Sequence, residues 1–377
     1  MIGELMRFEK NYKNHEKIQR INNPKFKYGH LLKNPKATLS SQQNKKTSSQ
    51  YEKIVDDYLH YIKPGTEAFF HELKLNFDFI DGKGNWLFYL DDNGNRKSIF
   101  DGTGGYGANL LGHKNPDLLN EAISSFKNCA PSNVQGTPRK QSSKLGKKLS
   151  DLLSSETNRS HWISIFSNSG TEAVEIALKH SRLYYHQKIK KMVIKINRKA
   201  NVAKLKIKNL SKKRKVQLFY KILTKLPPTA YHCKNIDDLV EWIRSKNIET
   251  LSKEPLLLAI EGGFHGKTLG SLNATHNEIF SDPFLVEKNT VFINRNDLEI
   301  SKLNKIKTSL TLFSIDFENE EIETHTLSRI FSAIIEPIQG EAGIYPLDYT
   351  LIKNLRSLAT KNDFLLIFDE IQAGLYR

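Results

Sequence analysis

The sequence predicts an α/β protein whose central sheet is mostly parallel and covered on both faces. Three observations carry this expectation. LLLAI (256–260), FSAIIEP (331–337) and LLIF (365–368) are near-continuous apolar runs of strand length, the pattern of strands buried on both sides. Between the last two, Leu351, Ile352, Leu355, Leu358 and Ala359 recur at helical spacing, so helix alternates with strand. HWISIFSNSGTEAVEIALKHSR (161–182) reads as an ISIF strand, an SNSG turn and a helix continued by Ala173, Val174, Ala177 and Leu178.

In chain order, residues 1–50 are polar and aperiodic, and SSQQNKKTSSQ (40–50) marks a poorly ordered arm. Residues 51–130 hold the elements of a smaller N-terminal region. There WLFYL (86–90) and KSIF (97–100) flank DDNGNR, a β-hairpin turning on Asn93-Gly94. GTGGYG (102–107) is a glycine-rich loop. Asn115-Pro116 supplies an N-cap and a first-turn proline for a helix bearing Leu118, Leu119, Ala122, Ile123 and Phe126. Residues 131–377 form the large domain, where TVFIN (290–294) is a further strand.

At 377 residues and 38% hydrophobic content the chain can bury a sizeable core. No apolar run reaches the roughly 18–20 residues of a membrane-spanning helix. Residues 1–50 lack a secretory pattern, and Glu4, Glu9 and Glu16 argue against a mitochondrial presequence. Cys129 and Cys233 lie far apart without metal-ligand spacing, which points to a reducing cytoplasm and away from zinc or a disulfide scaffold. The net charge of +16 is local: Lys179 to Lys225 holds 17 Lys or Arg and no acid.

Three loops and one strand tip carry the chemistry. In SNSGTEAVE (167–175), Ser169 and Glu172 have capping-box spacing, and Gly170 permits close backbone approach. A helix start of this kind suits a phosphate, although an ordinary capped helix has the same pattern. GGFHG (262–266) sets Phe264 and His265 on a loop after a strand, as a platform for a planar ring or as plain loop packing. EPIQGEAG (336–343) puts Glu336 and Glu341 beyond another strand, where carboxylates are commonly solvated. Asp369 follows four apolar residues, and a buried carboxylate needs a partner: a cationic ring nitrogen, an Arg or a helix N-terminus.

Taken in order, SNSGTEAVEIALKHSR, FHGKTLGSLNAT, EPIQGEAGIYP and LLIFDEIQAGLYR resemble the class III (ornithine-aminotransferase-like) family of pyridoxal 5'-phosphate enzymes, fold type I. The likeness spans roughly residues 85–182 and 256–377. It implies a cofactor-binding large domain with a partial small domain, and active sites at a homodimer interface. Ser169, Gly170 and Thr171 would hold the cofactor phosphate, and Phe264 would stack on the ring with His265 beside it. Asp369 would pair with the protonated ring nitrogen and Gln372 would reach the ring hydroxyl. Glu336 and Glu341 would line the side taken by the small-molecule amino donor and its oxo acceptor. Aminomutase and decarboxylase chemistries share the fold.

Two departures qualify the resemblance. The family's Schiff-base lysine follows the DE-x-Q strand by roughly thirty residues, whereas eight residues follow Asp369 here and none is lysine. The expectation is a truncated chain, inactive alone. Half of a split enzyme and a non-catalytic relative are the alternatives. The second departure is a basic insertion, 183–255, where Ile189, Met192, Val193 and Ile196, then Phe219, Ile222, Leu223 and Leu226, have helical spacing. It reads as a helical excursion breaking near Asn209-Leu210-Ser211. It is either a solvated helix pair packed on the domain or a docking face for an acidic partner: nucleic acid, anionic membrane or carrier protein.

Overall fold

Strands Leu365–Phe368, Ile330–Ile335, Leu256–Ile260 and Thr290–Ile293 lie side by side in that order, every neighbouring pair parallel. They form the central sheet of a computed structural model that describes residues 57–62, 79–91, 93–129, 131, 136–284, 289–298, 300, 303 and 308–374. Residues 1–50 lie outside the described residues. The chain divides into two units, residues 1–79 with 89–95, and residues 80–88 with 96–377. The central sheet lies in the second.

In chain order the strands are β1 (Phe79–Lys83), β2 (Trp86–Leu90), β3 (Arg96–Phe100), β4 (Leu256–Ile260), β5 (Thr290–Ile293), β6 (Ser309–Asp316), β7 (Glu321–Ser328), β8 (Ile330–Ile335), β9 (Ile338–Gln339), β10 (Tyr345–Pro346) and β11 (Leu365–Phe368). The helices are α1 (Pro116–Lys127), α2 (Lys140–Glu156), α3 (Gly170–Lys208), α4 (Lys212–Leu223), α5 (Ile236–Leu251), α6 (Leu269–Ala274), α7 (Glu278–Ser281) and α8 (Tyr349–Asn362). The strands expected at WLFYL, LLLAI and LLIF have those bounds. Asn115 caps α1, its Oδ1 accepting from the N–H groups of Asp117 and Leu118.

The period of two explains how the sheet is covered. Leu256, Leu258 and Ile260 of β4 join a core with Leu351, Leu355 and Ala359 of α8. Leu257 and Ala259 face the other way, against Val174, Leu178 and Tyr185 of α3. In β8 the alternation breaks at a bulge, because Leu256 pairs with Ile330 but Leu257 with Ser332. The extra residue, Phe331, therefore joins the α3 side.

One expected strand is absent. Residues 161–167, which contain ISIF, have no ladder partner among the described residues, and Ile163 is 82% exposed. An apolar run becomes a strand only when a neighbour takes its backbone hydrogen bonds.

Residues 183–255, expected as an insertion, form more than a helix pair. α3 runs 39 residues, about 58 Å at 1.5 Å per residue, and overshoots the sheet. The break comes as expected: Asn209 ends α3, and Ser211 Oγ accepts from Arg214 N to start α4. α5 follows, and these helices enclose a second core around Ile207, Leu218, Ile222, Ile236 and Leu239. The β6–β7 hairpin, from far along the chain, closes it through Ile315. Asn247 of α5 grips the β6 edge, its Oδ1 accepting from Phe313 N at 2.9 Å and its Nδ2 donating to Phe313 O at 2.8 Å. Five of the basic residues meet three carboxylates there: Lys199 and Lys195 pair with Glu323, Arg214 and Lys221 with Glu320, and Lys225 with Glu321. Among the described residues no helix is long and apolar enough to cross a membrane.

Candidate active site

Because β4, β8 and β11 are parallel and in register, their carboxyl ends stop at one level, and the next residues are Glu261, Glu336 and Asp369. Asp369 N donates to Ile335 O at 2.7 Å, which locks the last strand tip to its neighbour. A cavity of about 500 Å³ opens there, at the edge where parallel sheets collect ligands. Its walls include Gly170 and Thr171 at the start of α3, Phe264 and His265 after β4, Glu336 and Glu341 after β8, and Asp369 and Gln372 after β11. Eight of the nine residues singled out in the sequence thus meet in one cavity.

The ninth, Ser169, does not line it. Its hydroxyl accepts from Glu172 N, while Glu172 Oε2 accepts from Ser169 N at 3.1 Å and Asn168 N at 2.6 Å. The capping box is complete, so the Ser169 side chain is engaged within the helix start. Among the described residues, the N–H groups of Gly170 and Thr171 donate to no protein acceptor. They stand at the positive end of a long helix. Thr171 Oγ1 lies 2.9 Å from Ser271 Oγ and 3.2 Å from Thr268 Oγ1, giving a hydroxyl cluster at that end.

The opposite end is anionic. Asp369 and His265 are 7% and 3% exposed, and His265 Nδ1 lies 2.7 Å from Asp369 Oδ2. A carboxylate accepts, so this bond assigns the imidazole proton to Nδ1. Nε2 is buried without a partner among the described residues. The other oxygen, Asp369 Oδ1, takes only a 3.2 Å bond, from Ile371 N, among the described residues.

Glu336 acts as a strut. Its Oε1 accepts from Phe264 N at 2.9 Å and its Oε2 from Gly340 N at 3.2 Å, tying the loops after β4 and β8 together. Burial pushes its carboxyl above the usual range, with the two N–H bonds pulling the other way. Glu341 and Gln372 are exposed at the rim. The Gln372 amide occupies the space over Gly340, where a Cβ would sit 1.5 Å from Oε1.

Tyr106, Gly266, Lys267 and Ile371 also line the cavity and were not singled out. Gly266 holds φ +117°, and a Cβ there would lie 2.2 Å from Thr171 Oγ1. Lys267 is in the FHGKT run, its Nζ 4.2 Å from the Phe280 ring centroid and 5.9 Å from that of Phe264. Tyr106 comes from the glycine-rich loop, which Asp101 organises. Asp101 Oδ2 meets His113 Nε2 at 2.8 Å, and Oδ1 accepts from Thr103 and Gly104. The His113 bond, then the Thr103 hydroxyl and the backbone bonds, lower its pKa to about 2.

Comparison with known proteins follows the same residues. The family model described as Aminotransferase class-III matches residues 71–377. A mitochondrial acetylornithine aminotransferase from Candida glabrata is 36% identical over 140 residues, covering 37% of this chain and 29% of that protein. A putative [LysW]-aminoadipate semialdehyde/glutamate semialdehyde transaminase from Pyrococcus furiosus is 26% identical over 294 residues, covering 78% of this chain and 54% of its own. The solved ornithine aminotransferase of Toxoplasma gondii ME49 superposes with a TM-score of 0.54 at 14% identity, over 87% of this chain and 55% of that one. At that identity the likeness concerns the fold. The chain spans about half the length, or less, of the relatives it matches.

Proposed function

The chain belongs to the class III aminotransferase family, and from that premise we propose that the strand-end cavity holds pyridoxal 5'-phosphate for amino transfer between a small-molecule donor and an oxo acid or aldehyde. Class III aminotransferases depend on this cofactor. The observation that carries the reading is Asp369, a buried carboxylate on the cavity wall whose Oδ1 is weakly engaged. The donor set fits a ligand with a cationic ring at one end and a phosphate at the other. Uncommitted N–H groups of Gly170 and Thr171 supply the phosphate end, and Asp369 supplies the anionic end.

When bound, the protonated pyridine ring supplies the electron sink that lowers the barrier to losing a substrate Cα proton. Asp369 holds the proton on the ring nitrogen, and His265 fixes the carboxylate through Nδ1. Phe264 contributes a flat apolar wall, and Gly170 and Thr171 bind phosphate oxygens through backbone N–H. Gln372 presents an amide to the ring hydroxyl side. Glu336 positions the two loops, and Glu341 faces incoming substrate from the rim. Each of these contacts with the cofactor is noncovalent.

The same reading assigns a cytoplasmic homodimer. Leu269 and Ile344, beside the cavity residues Lys267 and Glu341 in sequence, are 70% and 76% exposed, which supports a covering subunit. Sedimentation velocity tests the dimer. A fluorescent fusion tests the compartment, against two yeast relatives whose names include "mitochondrial".

The central test is cofactor titration by fluorescence quenching. Saturable binding that Asp369→Ala weakens at least about tenfold, the effect of losing one charge-assisted bond, supports the reading. Native and variant chains that bind equally, or not at all, sink it.

A further inference from the structure

One arc of α3 is exposed along its length, and its Lys191, Ile194, Arg198 and Val202 form one wall of an open groove whose other wall is residues 315–318. At about 100° per residue, Lys190, Lys191, Arg198 and Lys208 share an arc of roughly 120° with Ile194, Val202 and Leu205. The opposite side carries the buried Ile196, Ala203 and Ile207. All seven arc residues are exposed, Leu205 and Ile194 by 67% and 60%. The four cations have no carboxylate partner among the described residues, unlike Lys195 and Lys199 on the flank, which meet Glu323. From Lys190 to Lys208 the arc is about 27 Å long.

Charge alone would suit any polyanion, but the aliphatics discriminate. A nucleic-acid backbone is satisfied by cations, and base stacking uses aromatic rings, which the arc lacks. A boundary between anionic headgroups and acyl chains takes cations and aliphatics together. We propose that this arc of α3 is a docking face for an anionic lipid surface, on which the helix lies flat with Ile194, Val202 and Leu205 entering the headgroup layer. The inference is independent of the cofactor site.

The test is co-sedimentation of the full 377-residue chain with phosphatidylcholine vesicles, with and without phosphatidylserine. Binding should require the anionic lipid and fall as salt rises. Lys191→Gln with Arg198→Gln should weaken it about 25-fold, from about fivefold per cation. Ile194→Gln with Leu205→Gln, at unchanged charge, should weaken it about tenfold or more. All four positions are exposed, and circular dichroism checks that the variants fold. Binding indifferent to the aliphatic pair overturns the proposal, as does equal binding to neutral vesicles or binding to duplex DNA in preference to vesicles. So does no binding at all.

Discussion

His265 and Asp369, 104 residues apart in sequence, form a buried 2.7 Å pair between Nδ1 and Oδ2 at the floor of the cavity. The pair joins the loop after β4 to the tip of β11. It also determines which carboxylate oxygen remains for a ligand. Asp369→Asn keeps the shape and removes the charge. Cofactor affinity should then fall about tenfold or more while the melting temperature changes little. His265→Ala should cost affinity less and stability more, because it leaves Asp369 buried with a lost partner, about 1–3 kcal/mol. Titration and thermal denaturation read the two effects separately.

Glu336 holds two loops by accepting one N–H from each. Truncation to Ala should destabilise the protein by about 2–4 kcal/mol, since both partly buried donors lose their acceptor. Gln keeps an acceptor and should cost less. Burial raises this carboxyl in the folded state, so its contribution is fully present below its ordinary value and declines as pH rises through the raised one. Glu336→Gln does not ionise. Its urea midpoint should therefore gain on the native protein as pH rises above the ordinary Glu value and through the raised one.

Asp101 titrates in the opposite sense. Its pKa is depressed to about 2, led by the His113 bond. That contribution is intact above the ordinary Asp value and is lost as pH falls through about 2. Asp101→Asn should flatten the stability loss over that window. The same variant should loosen the loop bearing Tyr106, seen as faster amide exchange at 102–107.

Gly266 packs its backbone against Thr171, at a φ that other residues avoid. Gly266→Ala should cost about 2–4 kcal/mol through strain and overlap. Cofactor affinity should drop with it, because the start of α3 is pushed from the loop. Thermal melts and titration of the same sample measure both.

Asn247→Ala removes both partners of Phe313 on the β6 edge. The expected loss is about 2–4 kcal/mol, with cofactor affinity unchanged. A loss below about 0.5 kcal/mol would mean water replaces the amide.

LLLAI was legible because a buried parallel strand is apolar at every position, so its limits are where polarity resumes; LLIF has the same run but forms the end strand among the described residues, half-buried rather than buried, with Phe368 44% exposed. The α3 cap was legible because Ser169 and Glu172 are a local pair. The same locality misled about Ser169, whose hydroxyl the cap engages and the cavity does not meet. ISIF failed because apolar content does not supply a ladder partner. The β6–β7 hairpin escaped notice because SLTLFSID and EIETHTLS mix polar and apolar residues. Its burial comes from helices about sixty or more residues earlier in the chain. Lys267 lies in the FHGKTLGSLNAT run, yet only the folded loop brings it to the cavity wall.

The hairpin 309–328 and the helices of 183–255 are two halves of one packed module. Excising the helices alone would strand Glu320, Glu321 and Glu323 without counter-charges and bare Leu310 and Leu312 to water. Excising the hairpin alone would uncover the Ile207–Ile222 core. A minimal scaffold must therefore lose both segments together, and a transplant into another protein must carry both through two separate splice points.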